Sequence, residues 1–301
     1  MAFTTNLTGT VQIDDSIREE YDVEFRLALA EQGVGAEMAT VKKEFGAKSI
    51  QMPKYDQLEL ATTPLTETED VVSEALNDTS VLLTPQEYGK VVTTTKLANI
   101  QSGGMVDRAA ARLVGINAGR TRNRLALMAM DSSSNVLFGG DATDEASIDP
   151  TDILDGTLMG KVYNKLNREN AMGVANGSFV MIAHDDVIHD IRESSDWQDA
   201  HRYAMPQELL RNEVGMYKGF RVIRDNLSTI ADNGTAKVYS SYFVGFNALG
   251  EAISNPISMV ATGPFDKLNR FVNMGHYGIY TFGIVEQKAL WIAKTASSVA
   301  V

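Results

Sequence analysis

The sequence has no cysteine at all, only 7 prolines and only 2 tryptophans in 301 residues. Without cysteine there is neither a disulfide framework nor a thiolate metal site. Thiol redox chemistry is excluded, and stability has to come from packing, length or association. Long apolar runs are missing too: none approaches the roughly 20 residues that a membrane-crossing helix needs. The opening Met-Ala-Phe-Thr-Thr lacks the basic, apolar and small-residue succession of a secretory signal, so a cytosolic product is expected. Positive charge is in short supply. With 39 acidic against 27 basic residues the formal net charge is −12, which argues against a dedicated nucleic-acid reader, whose affinity comes largely from phosphate neutralisation. The deficit is concentrated at the front, where residues 1–90 hold 17 acids and 7 bases. That part is either a solvated acidic tail or an arm that meets basic surface on a neighbouring subunit.

The hydrophobic fraction, 44%, is enough for one elaborated domain or two. Ile17, Tyr21, Phe25 and Leu29 repeat every four residues behind Asp14, Asp15 and Ser16, which predicts a short amphipathic helix over 16–31. Residues 48–96 lack that period. Pro53, Pro64 and Pro85 exclude a long central strand there, while Tyr88–Thr95 has strong β character, so a projecting two-stranded hairpin is expected. A long helix follows over Met105–Asp131, with Ala109, Leu113, Ile116, Leu125 and Met128 available for one face. Gly115 and Gly119 weaken its middle and point to a bend or a close helix approach. Asp149-Pro150 is expected to open a second helix carrying Leu154, Leu158, Val162 and Leu166. A strand at Phe179–Ala183, a polar helix over 185–203, and strands at Gly219–Ile223, Val238–Phe246, Ile257–Ala261 and within Phe271–Ile292 complete an α+β chain ending in β structure.

The densest ionisable cluster is His184, Asp185, Asp186, His189 and Asp190. Imidazole and carboxylate are metal ligands, and a metal-dependent hydrolase would use His184, Asp186 and His189. Two zinc-binding histidines on one helix face usually sit four apart, however, and these are five apart. Asp185 and Asp186 also stand where a helix begins and where carboxylates satisfy free amides, so helix capping is the favoured reading. The Gly-x-Ser-x-Gly elbow, the Walker pattern and the GxGxxG fingerprint are absent, and no cofactor is expected. Gly103-Gly104 reads as a hinge before the long helix. Arg108, Arg112, Arg120, Arg122 and Arg124 form the one basic stretch, with no acid between 108 and 124. Lacking interleaved aromatics, it reads as a solvated or intersubunit face in preference to a DNA contact.

The run His184-Asp185-Asp186-Val187, Asp190-Ile191-Arg192, Asp196-Trp197, Ala200-His201 and Tyr203 resembles the characteristic stretch of a tailed-bacteriophage major capsid family. Ala61-Thr62-Thr63-Pro64-Leu65-Thr66-Glu67, Gln86-Glu87-Tyr88-Gly89, Glu213-Val214-Gly215 and Gly219-Phe220-Arg221-Val222 resemble further parts of it, in the family's order. The resemblance implies the Hong Kong 97 type capsid fold. It would divide into an N-terminal arm (1–47), an extended loop (48–96), a peripheral domain with a long spine helix (97–149 and 266–301) and an axial domain (150–265). It implies a non-enzymatic subunit that self-assembles into hexamers and pentamers of an icosahedral virion shell, built in the host cytoplasm around double-stranded DNA held by non-specific proximity. Portal, scaffolding or decoration proteins are the further partners it implies, and no membrane. In such a shell Gly103, Gly104, Gly115 and Gly119 would be assembly hinges, and His184, Asp186, Asp190, Arg192, Trp197, His201 and Tyr203 structural residues. An encapsulin-like protein shell is the alternative on the same fold.

Overall fold

The computed structural model describes residues 22–29 and 34–299, apart from 56–57, 59, 63, 66, 68–69, 71–72, 77, 175–176, 195–196, 198–212, 264–265 and 269. In chain order the elements are α1 (22–29), β1 (Ala39–Lys43), β2 (Ile50–Tyr55), β3 (Asp78–Leu83), β4 (Gln86–Thr95), α2 (Lys96–Gln101), α3 (Met105–Asp131), β5 (Val136–Phe138), α4 (Gly156–Arg168), β6 (Phe179–Ala183) and α5 (Asp185–Glu193). There follow β7 (Glu213–Tyr217), β8 (Phe220–Arg224), β9 (Ile230–Asp232), β10 (Lys237–Val244), β11 (Leu249–Thr262), β12 (Phe271–Ile284) and β13 (Leu290–Thr295). One sheet has the order β1-β11-β12-β4, with β1 parallel to β11 and the other pairs antiparallel. A seven-stranded sheet runs β5-β13-β10-β6-β8-β7, with β9 also on β10, and β2 pairs with β3 alone. This is the α+β architecture expected from the sequence.

β6 is apolar at every position because both of its faces are covered. Phe179, Met181 and Ala183 point to the side of α4 and α5, where Leu158, Val162, Leu166, Val187, Ile188 and Ile191 meet them. Val180 and Ile182 point the other way, into a second core with Ala126, Leu127 and Met130 of α3. That second core also holds Leu249, Tyr280 and Phe282 of the four-stranded sheet, so the end of α3 is packed between the two sheets.

α3 has the expected limits, but its buried side is not the expected one. Ala110, Ala111, Val114 and Ala118 are buried, whereas Ala109, Leu113 and Met128 face outward and Ile116 and Leu125 are half-buried. Small residues win here because backbone comes close: a Cβ added at Gly115 would sit 2.6 Å from the Phe25 carbonyl oxygen and 2.9 Å from the Ala28 Cβ. Gly115 is thus the close helix approach that the sequence pointed to. Phe25 and Ala28 are the buried residues of α1; Ile17 and Tyr21 lie outside the described residues.

Other expectations shift at their ends. The second helix begins at Gly156, where Asp155 caps it by accepting the Leu158 N–H at 2.7 Å. Asp149 accepts the N–H and hydroxyl of Thr151 at 2.7 and 2.6 Å, and these bonds hold its carboxyl below the usual range. Such local bonding favours a turn over a helix start. Leu154 is buried ahead of the helix. The helix from Asp185 ends at Glu193, as the Ser194 hydroxyl turns back to the Ile191 carbonyl at 2.6 Å. Tyr88–Thr95 is a strand as expected, but its partner is β12; the two-stranded hairpin is β2 with β3. Pro53 is tolerated there, opposite Ser80, because each strand of a two-stranded ribbon is an edge.

A Gly115→Val variant drives a side chain into the α1 backbone and is expected to lose about 1–3 kcal/mol. Gly160→Ala in α4, where an added Cβ meets nothing within 4 Å, is expected to gain up to about 1 kcal/mol. Denaturant midpoints of the two variants check both signs.

Candidate functional site

Along the second half of α3, polar side chains bind it to both sheets. Arg122 donates to Glu251 of β11 through Nε (2.7 Å) and a terminal nitrogen (2.5 Å), a bidentate pair whose carboxylate is buried. Burial opposes the Arg122 charge, but the hydrogen bond and the attraction of Glu251 outweigh it and raise the guanidinium pKa. One residue on, the Asn123 side-chain oxygen accepts the N–H groups of Gly35 (2.9 Å) and Ala36 (3.3 Å), and its amide donates to Asp225 at 2.6 Å. Arg124 donates to the Leu227 carbonyl and the Thr229 hydroxyl, both at 2.8 Å. Asp131 accepts the hydroxyls of Tyr242 (2.8 Å) and Thr229 (2.5 Å).

The five-arginine face therefore divides. Arg108, Arg112 and Arg120 are exposed on the outward side of α3, while Arg122 and Arg124 turn inward as ties. With 3.6 residues per turn the five arginines spread round more than half of the helix, so one face cannot hold them all. Nothing in the spacing singled out Asn123, Asp225 or Glu251; the only signal was a lone acid in an otherwise apolar strand around Leu249–Ile253.

The histidine–aspartate cluster caps and staples. The imidazole itself caps α5, its Nδ1 accepting the Asp186 N–H at 3.2 Å, in place of the carboxylates expected to do so. Asp186 accepts the Tyr239 hydroxyl at 2.7 Å, and burial together with this bond pushes the Tyr239 pKa up. Asp190 accepts the N–H of Ser298 at 3.1 Å and also its hydroxyl, while the Ser297 hydroxyl donates to the Asp186 carbonyl at 3.1 Å. Ser297 and Ser298 are held to α5 in this way. His189 is exposed, Arg192 stands in the last turn where positive charge suits the helix dipole, and Trp197 packs on Tyr217 with ring centroids 5.3 Å apart. Among the described residues no cluster is arranged to hold a metal ion. His201 and Tyr203 lie outside the described residues.

Two apolar surfaces are left open. The β2–β3 hairpin is seated at its root on Gly250 and Gly283, which face each other across β11 and β12 and leave room for Met52 and Leu83. Lys54 pairs with Glu286 at 2.9 Å beside that seat. Beyond it Leu60 is 87% and Leu65 77% exposed, with Tyr55, Leu58 and Leu76 also uncovered. The second surface is the side of the four-stranded sheet facing away from α3. There Gly89 and Gly275 floor a groove of about 440 Å³ walled by Val91, Val260 and Tyr277. Gly103 and Gly104, between α2 and α3, have φ of +66° and +87° and open space around them, and Gly119 is buried within α3.

Solved structures share this fold. The capsid of Ralstonia phage GP4 superposes with a TM-score of 0.72 at 11% identity, over 88% of each chain. The acid-stable capsid of Helicobacter pylori bacteriophage KHP30 gives 0.65 at 10% identity, over 98% of this chain and 99% of that one. The chain has the fold of tailed-phage capsid proteins. The same capsid fold is present in a virus-like particle from Pyrococcus furiosus, at a TM-score of 0.58 and 10% identity over 91% and 98% of the two chains. No protein-family model and no curated protein matches the sequence. The Hong Kong 97 type fold implied by the sequence motifs is thus the fold observed.

Two outcomes are expected at the ties between the sheets. Arg122→Ala leaves Glu251 buried without its partner and costs about 3 kcal/mol; adding Glu251→Leu recovers part of the loss, as a double-mutant cycle in denaturant reads out. His276, buried in β12 with Nε2 3.1 Å from the Asn117 side-chain oxygen, has its pKa lowered by burial from 6.5. The unfolded chain then takes up the proton first, so stability present above pH 6.5 declines as pH falls through that value. The melting temperature of a His276→Gln variant should fall less steeply between pH 7.5 and 5.5 than that of the parent.

Proposed function

We propose that this chain is the major capsid protein of a tailed bacteriophage, a non-enzymatic subunit that self-assembles into hexamers and pentamers of an icosahedral shell around double-stranded DNA. The observation that carries the reading is the pair of apolar surfaces on a capsid fold. A leucine-bearing hairpin end and an apolar sheet groove are both left uncovered by the chain that bears them, and soluble monomers rarely leave such patches open. The hairpin of one copy closes over the sheet of the next, and each contact is made twice per subunit, once as donor and once as acceptor. That is a heterologous contact, which closes into rings.

In this reading residues 1–47 are the arm, 48–96 the extended loop, 97–149 and 266–301 the peripheral domain and 150–265 the axial domain. The four-stranded sheet draws one strand from each of the arm, the loop, the axial segment and the final segment, so these names describe the path of the chain better than its cores. Gly103 and Gly104 supply the hinge that lets α2 and the hairpin adjust between five- and six-fold settings. The protein resides in the virion after assembly in the host cytoplasm, with portal, scaffolding or decoration proteins as further partners. Among the described residues no helix is long and apolar enough to cross a membrane.

A shell enclosing protein, of encapsulin-like type, is the second reading, prompted by the archaeal virus-like particle; nucleic acid inside particles recovered from infected or lysogenic cells decides between the two. Removing residues 56–77 while keeping β2 and β3 is expected to leave a soluble, folded chain that forms no closed shells in negative stain. Normal particles from that deletion would remove the hairpin from the mechanism.

A further inference from the structure

Strand β4 forms one margin of its sheet. Gln86–Thr95 is bonded to β12 along one side in unbroken register, and among the described residues no strand pairs with its other side. At ten residues it is the longest edge strand among the described residues, with Glu87 and Lys90 its only charges and neither a proline nor a bulge to blunt it. The other edges are shorter and mostly guarded: β1 has five residues ending in Lys42 and Lys43, β7 has five with a shift of register, and β2 carries Pro53. Val91 is 58% exposed on the groove side of β4 and Val92 39% exposed on the opposite side, so the strand has open faces as well as an open backbone edge. We infer that β4 is a docking edge for β4 of a second copy, the two strands pairing antiparallel about a two-fold axis centred on Val91.

Three constraints select that occupant. The first is closure. The hairpin contact is heterologous and makes rings; joining rings into a shell takes a further contact, and a two-fold is the form that one edge makes with its own copy. The second is geometry. A two-fold between antiparallel strands stands perpendicular to the sheet, so it keeps α3 on the same side of both copies and sets one residue opposite itself. Centring on Lys90 or on Val91 pairs nine residues of each strand, 86–94 or 87–95, and any other centre pairs fewer. The third is charge. A Lys90 centre sets two ammonium groups against each other, whereas a Val91 centre sets valine against valine, Lys90 against Val92 and Glu87 against Thr95 of the second copy. The place of this contact in a shell rests on the capsid reading; the pairing of the two strands is measured without it.

The lack of native cysteine makes a direct test clean. Residues opposed across antiparallel strands have Cα atoms about 4.5–5.5 Å apart, inside disulfide range, whereas residue 93 would lie about 14 Å from its own copy. In the full chain Val91→Cys is therefore expected to form covalent dimers under mild oxidation at least about tenfold faster than Thr93→Cys, which is also exposed on the same side of the strand. Chains with Lys90→Cys mixed with chains carrying Val92→Cys are expected to link to each other faster than either links to itself, which fixes the register. Val91→Lys, which puts two like charges at the axis, is expected to leave rings that do not close into shells. Val91→Cys linking no faster than Thr93→Cys would overturn the inference, as would normal shells from Val91→Lys. Linked dimers without particles of any kind would uphold the pairing and remove the capsid reading; particles in which Val91→Cys stays unlinked would do the reverse.

Discussion

One constraint organises this molecule: the C-terminal third of α3 is packed between the two sheets, with Met128 alone facing outward along it. Ala126, Leu127 and Met130 have no solvent-facing surface, because the seven-stranded sheet lies against one flank and the four-stranded sheet against another. Two sheets that share no strand pack against the same helix end, and the chain crosses directly between them from β10 to β11 and from β12 to β13. The polar ties at Arg122, Asn123, Arg124 and Asp131 then fix the rotation and depth of α3, since their partners lie on β11, on β10 and in the connection between β8 and β9. A buried carboxylate such as Glu251 stabilises little by itself and is costly once unpaired, so its role is to make one placement of the helix far better than any other.

Much of this was legible in the residues. α3 and β6 have the limits their sequences announce, and the strand expected at Tyr88–Thr95 only starts two residues earlier, at Gln86, because periodicity and composition are local properties that tertiary packing had no reason to override. What could not be read was which side of α3 goes inward. Periodicity offered Leu113 and Met128, but close backbone approach at Gly115 and burial between sheets selected alanines, a choice made by neighbours distant in sequence. The start of α4 was misplaced for the opposite reason: Asp149 finds a nearer partner in Thr151 than any helix would give it. The motif around His184 looked like site chemistry, and its atoms turn out to cap α5 and hold Ser297 and Ser298.

The partition between enclosed and open surface is informative in its own right. Polar atoms deep in the molecule are tied across elements, whereas the leucines of residues 58–76 and the groove over Gly89 and Gly275 are left bare. Burial of either surface against another copy removes apolar area from water without disturbing the two internal cores. The hairpin root, seated on Gly250 and Gly283 and held by Lys54 and Glu286, gives the open end a fixed point of departure. Association built this way is collective, because a subunit in a closed ring engages several neighbours at once and loss of one contact is readily reversed.

The location of the two tryptophans has an optical corollary. Trp197 and Trp291 both sit in the core between the seven-stranded sheet and the helices α4 and α5, the latter under the Lys165 ammonium at 4.5 Å. Indole emission is therefore blind to the four-stranded sheet, the hairpin and the outer half of the long helix. Disagreement between a fluorescence transition and one followed by far-ultraviolet dichroism would measure directly how far the two sheets melt as separate units.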